Sequence, residues 1–144
     1  MTHFRQSAFT LLELMIALAI AATLVAFAVP SYRNHVARTY RIDASAAMYR
    51  AAQFVESAPG DGVATLPPGL DQAPQLGAPI YRLRILPPDD SNGGYAIEAM
   101  PTDTSPMHDD ACGVFTLDAT GLRGNRSENG GSVTLTTREC WNTG

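Results

Sequence analysis

The chain has 144 residues, 45% of them hydrophobic, and a formal net charge of −4 in which all ten basic residues are arginine. That length leaves room for one small domain beyond a long helix. The acidic balance argues against nucleic acid as the main partner, and three scattered histidines with two cysteines show no catalytic pairing, phosphate loop or zinc spacing.

Residues 1–8, MTHFRQSA, carry one firm positive charge, Arg5, and end in the small pair Ser7-Ala8. Residues 9–29 form an apolar run closed by Pro30 and broken by a single carboxylate, Glu13. As a helix, a run of that length covers the roughly 30 Å of a bilayer's hydrocarbon core. A charge inside such a segment costs several kcal/mol unless a partner compensates it, so Glu13 is read as functional. An ordinary secretory signal is cut after its apolar core. Here the small residues precede the core, so a cut between Ala8 and Phe9 keeps the helix on the mature chain.

The string Ser7-Ala8-Phe9-Thr10-Leu11-Leu12-Glu13-Leu14-Met15 resembles the class III leader junction of type IV pilins and related pseudopilins. In that family a Gly usually precedes the cut, where this chain has Ala8. The resemblance implies a leader of residues 1–8, cleavage between Ala8 and Phe9, and N-methylation of Phe9 by the same prepilin peptidase and methyltransferase. It also implies a role for Glu13 in subunit assembly, through the Phe9 amine of a neighbouring subunit. Loss of the leader removes Arg5 and takes the formal charge to −5.

Past Pro30, which is expected to kink the helix, the helical period continues. Val36, Tyr40, Ala44, Ala47, Ala51, Phe54 and Ala58 recur at intervals of three and four, a stripe expected to pack on a sheet. The expected helix spans 9–57, with 9–29 transmembrane, and the head spans 58–144. Arg33, Arg38 and Arg41 outnumber Arg5 across the apolar segment, and that count alone places the head in the cytoplasm. The cysteine pair and the pilin resemblance place it outside, and that orientation is adopted.

Ala58-Pro59-Gly60-Asp61-Gly62 ends the helix, and the stretch to residue 79 reads as a connecting loop with one short helical turn. Alternation predicts strands at 81–86, 95–100, 112–117 and 132–137. Cys112 and Cys140 are an even pair in a part expected outside the cytoplasm, where a disulfide persists.

The ending Cys112-Gly113-Val114-Phe115-Thr116-Leu117-Asp118-Ala119-Thr120-Gly121-Leu122-Arg123-Gly124, followed by Cys140-Trp141, resembles the bridged C-terminal region of PilE-type minor pilins. The implied fold is α+β: a long N-terminal helix on a four-stranded antiparallel sheet with a disulfide-bridged C-terminal loop. The implied function is that of a structural subunit of a type IV pilus, a minor pilin serving assembly or initiation, in motility, adhesion or surface attachment. Its partners are then other pilin and minor pilin subunits and the inner-membrane assembly platform. It resides in the inner membrane with a periplasmic head before assembly, and on the pilus at the cell surface afterwards. A type II secretion pseudopilin and a DNA-uptake pilin are the alternatives.

Three further groups stand out. His108-Asp109-Asp110 with Asp103 lacks calcium-loop spacing and reads as a solvated acidic turn, so no metal, cofactor or catalytic residue is assigned. Asn125-Arg126-Ser127 matches a glycosylation triplet, a pattern frequent by chance. Arg82 and Arg84 share a strand face, with Arg123, Arg126 and Arg138 near the bridged loop. Their surroundings are acidic, and they read as a solvated face rather than a phosphate-binding stripe.

Overall fold

The computed structural model describes residues 9–58 and 65–141. Helix α1 runs Leu11–Ser57; Pro30 stands inside it and does not end it. By packing, the chain divides at His35, so the second part of α1 belongs to the compact unit that begins at Val36. The expected boundary at residue 58 therefore falls inside that unit.

Residues 9–35 are exposed throughout. The helix is long and apolar enough to cross a membrane, with a mean hydropathy of 2.4 in its most apolar stretch. Large side chains such as Leu11, Ile16, Leu24 and Phe27 all face outward.

The unit from Val36 onward is an α+β head. Strands β1 (Gln72–Ala73), β2 (Tyr81–Leu86), β3 (Ala96–Pro101), β4 (Val114–Asp118) and β5 (Arg123–Arg126) form one sheet in sequence order. All four pairings are antiparallel. Leu83, Ala99, Phe115 and Asn125 share one transverse row, and Ile85, Ile97, Leu117 and Arg123 share another on the same face. Within this unit α1 supplies Ala44, Ala47, Met48, Ala51 and Ala52 to the core. Four of the seven expected stripe positions, Tyr40, Ala44, Ala47 and Ala51, are thus buried or part-buried core; Met48 and Ala52, one turn on from Ala44 and Met48, widen it. Tyr81, Phe115 and Trp141 meet edge to face, with centroids 5.9 and 5.4 Å apart. That geometry sets the positive ring edge against the neighbour's negative face.

Two expected elements differ from the structure. The sheet has five strands, because Gln72–Ala73 forms a short edge strand within the expected connecting loop. The last strand is Arg123–Arg126, and of the expected strand 132–137 residues 132–136 are irregular chain leading into α2 (Thr137–Trp141). The β-branched residues of 132–137 carry strand propensity, but a capping box overrides it. Thr136 Oγ1 accepts from the Glu139 amide at 3.3 Å, and the Glu139 carboxylate accepts from the Thr136 amide at 2.9 Å. Polar Arg123-Gly124-Asn125-Arg126 forms a strand because it has a partner in β4, not because it alternates.

The expected disulfide joins Cys112 to Cys140, both buried. It closes a loop holding β4, β5 and α2, a constraint worth roughly 3–4 kcal/mol in the chain-entropy picture. Gly113 beside it has φ +56°, and a Cβ there would collide with the backbone carbonyl of Arg126. Only glycine fits that turn.

Hydrogen bonds from Thr136 hold the Glu139 carboxyl below its ordinary value of 4.5. A depressed acid stabilises the fold above its unfolded pKa, and that contribution is lost as pH falls through the folded value. The midpoint of thermal unfolding should therefore fall between about pH 5 and pH 3, and less steeply in Glu139→Gln, as followed by circular dichroism.

Candidate functional site

Three places carry chemistry, and each belongs to one unit. The first is the start of α1. Thr10 Oγ1 accepts from the Glu13 amide at 3.2 Å, while Glu13 Oε2 accepts from the Thr10 amide at 3.3 Å and its hydroxyl at 3.2 Å. Thr-x-x-Glu is a capping box: it satisfies helix-end donors and places the carboxylate at the positive end of the helix dipole. Glu13 remains exposed. Phe9 is 81% exposed beside it, and Ala8 lies outside the described residues.

The second place is the junction of α1, the 102–111 loop and the bridged loop. Asp110 accepts from Arg41 Nε at 2.9 Å and Nη2 at 2.5 Å, and its Oδ2 also accepts from the Cys112 amide at 3.2 Å. This fork ties the helix to the loop just before the disulfide, and the Asp110 bond raises the Arg41 pKa. Asp110 is thus committed to a structural pair, unlike the solvated turn expected of it. Burial pushes the nearby Tyr81 phenol well above its ordinary value. His108 Nδ1 lies 3.2 Å from Asp109 and Nε2 3.8 Å from Glu128, so the histidine bridges two loops. Asn125 of the glycosylation triplet donates from Nδ2 to the Cys112 carbonyl at 3.0 Å, which engages its side chain inside the fold.

The third place is the outer sheet face. Arg84, Glu98, Thr116 and Gly124 form one transverse row. Glu98 is only 3% exposed. Two guanidiniums cap its carboxylate. Arg126 Nε and Nη2 donate to Oε1 at 2.9 and 2.7 Å, and Arg84 Nε and Nη2 reach Oε2 at 2.8 and 2.7 Å. The triad carries a net positive charge, with the Arg84 side chain 58% exposed. Arg82, in the next row, pairs with Asp71 at 3.3 Å. Arg123 departs from this group: its guanidinium lies 5.6 Å from both the Tyr49 and Trp141 ring centroids. Arg84 and Arg126 therefore converge on Glu98, Arg82 stands on the same face with Asp71, and Arg123 does not join them. Glu98 as the shared counter-charge of Arg84 and Arg126 was the residue that sequence reading missed; its alternation with Ile97 and Ala99 on an outward face was the available signal.

Two family models match the chain. The prokaryotic N-terminal methylation motif matches residues 3–29. The family described as type IV minor pilin ComP, DNA uptake sequence receptor, matches residues 30–116, more than half of the chain. The chain belongs to the type IV minor pilin family. No curated protein is similar enough to match. The methylation motif and the apolar helix fit a minor pilin anchored in the membrane before assembly. Minor pilins act with other pilins and with assembly machinery, and the matched families are structural ones. The matched description also removes the case against nucleic acid: net charge does not decide the partner when arginines gather on one face.

Breaking the triad should show non-additivity, because either arginine alone still covers Glu98. Arg84→Ala and Arg126→Ala should each cost less than half of what the double variant costs. The double variant leaves a buried carboxylate bare and should lose about 1–3 kcal/mol by urea unfolding.

Proposed function

We propose that this minor pilin is cut between Ala8 and Phe9, methylated on Phe9, and held in the inner membrane by residues 9–29 with its head in the periplasm. It then enters a type IV pilus as an assembly or initiation subunit. In the fibre the Glu13 carboxylate pairs with the Phe9 amine of a neighbouring subunit. The observation that supports this reading is the Thr10–Glu13 box: every contact of the carboxylate is local, exposed and 3.2–3.3 Å long. A charge held by one threonine at a helix start exchanges readily for a stronger, charged partner. Pro30, which lacks the amide that would bond one turn back, is the point at which the helix yields during extraction.

Glu13→Ala should insert in the membrane and fold like the parent, because a costly charge leaves the apolar segment. Its incorporation into sheared surface filaments should nevertheless fall sharply, since the neighbour's amine then enters the fibre without a counter-charge. Equal levels of parent and variant in the filament fraction of a complemented deletion strain would sink the pairing.

A second reading has its own observation. The matched family is described as a DNA uptake sequence receptor, and Arg82, Arg84 and Arg126 stand together on the outer sheet face. The acidic pair Asp89-Asp90 lies in the turn between β2 and β3, and Asp118 ends β4 one row from Arg84 and Glu98. The head then captures duplex DNA through phosphate contacts. For the full chain in detergent, Arg84→Ala should weaken duplex binding and lower the slope of log K against log salt by about one. Binding that is insensitive to salt would exclude a phosphate-contacting arginine face.

A further inference from the structure

Between Glu13 and Asp43 the chain holds no acidic residue. That stretch carries three arginines, Arg33, Arg38 and Arg41, all just past the apolar run of 9–29. Arg41 is committed, because it donates to Asp110 from Nε at 2.9 Å. Arg33 and Arg38 are exposed, and among the described residues neither forms an ion pair. Tyr32, next to Arg33, presents 70% of its surface.

Their place after the span decides what these side chains meet. At about 1.5 Å of rise per residue, Tyr32 and Arg33 lie about 5–6 Å past Val29. The headgroup layer outside a hydrocarbon core of about 30 Å has a similar thickness. A helical side chain leaves its Cα tilted toward the helix N-terminus. Past the end of a span, that tilt aims an arginine back at the bilayer; before its start, it would aim the arginine away. The aliphatic stem then lies along apolar surface while the guanidinium reaches lipid phosphate, whose oxygens its fork fits. A tyrosine ring suits the same layer, apolar at one end and wet at the other. Arg38 belongs to the unit that begins at Val36, and a fluid lipid surface asks for no fixed geometry between it and Arg33.

Resting on the membrane-anchored reading above, we propose that Tyr32, Arg33 and Arg38 form an interfacial collar that binds anionic phospholipid headgroups. The collar holds the end of the span at one depth in the bilayer before assembly. In a bare charge count these arginines weigh against a head outside the cytoplasm; against anionic headgroups they have their counter-charges there.

The test is native mass spectrometry of the full chain from micelles doped equally with phosphatidylglycerol and phosphatidylcholine. Parent protein should retain the anionic lipid in preference. Arg33→Gln and Arg38→Gln should each lower that preference about fivefold, and the double variant more than either. Arg33→Lys should keep it, because the charge rather than one exact fit makes the contact. Arg50→Gln removes another exposed arginine of α1, farther from the span, and should leave the preference unchanged. An equal loss in Arg50→Gln overturns the inference, since any arginine would then serve. So does a parent that lacks lipid preference yet resists carbonate extraction from membranes, a result that leaves the anchored reading intact. Release of the parent by carbonate overturns both. A double variant with parental lipid preference that is missing from sheared filaments also overturns the collar, and gives these arginines to carboxylates of a neighbouring subunit.

Discussion

Ala44, Ala47, Ala51 and Ala52 give the second part of α1 a face with almost no side-chain depth, and that face lies on the sheet. Short side chains fill little of the space between helix and sheet, so that space is filled from the sheet side. Tyr81, Ile97, Phe115 and Leu117 do so from β2, β3 and β4, and Trp141 closes one end from α2. The aromatic chain Tyr81–Phe115–Trp141 thus depends on the alanines, and the disulfide depends on Trp141 standing where it does, one residue after Cys140. Enlarging any of these alanines would push against rings that are fully buried.

The sheet solves a different problem on its other face. On that face β3 carries Glu98, which is nearly as buried as Ile97. The aliphatic stems and guanidiniums of Arg84 and Arg126 do the covering. Charge and burial are reconciled because the carboxylate has a fork on each oxygen, which is the condition under which a buried ion pair is tolerated. The arrangement leaves the triad one positive charge in excess where the net charge of the chain is negative.

Sequence reading found what repeats. The stripe on α1 and strands β2, β3 and β4 each carry a period, and the structure has them at nearly the expected bounds. Arg123-Gly124-Asn125-Arg126 carries none: its pairing is a property of β4 and of the chain closure at Cys140. Gly124 lets the strand approach, since a Cβ would come within 2.5 Å of Thr116 Oγ1. Two signals were present and went unread. Thr10-x-x-Glu13 and Thr136-x-x-Glu139 are the same capping box, one opening α1 and the other replacing an expected strand by α2. The Asp110–Arg41 fork joins residues 69 positions apart, and no local pattern announces such a pair.

The disulfide also sets a mechanical property. A pilus subunit is pulled along its fibre, and a β-sheet loaded from one end yields by peeling strands from an edge. Here β4, β5 and α2 up to Cys140 lie within a covalent ring whose ends are 28 residues apart in sequence and 5.6 Å apart in space. Released, that segment would lengthen the chain by roughly 90 Å at full extension. Closed, it adds almost nothing, so tension reaching the head is carried by a fixed length of chain up to Cys112 and by a ring that cannot be drawn out.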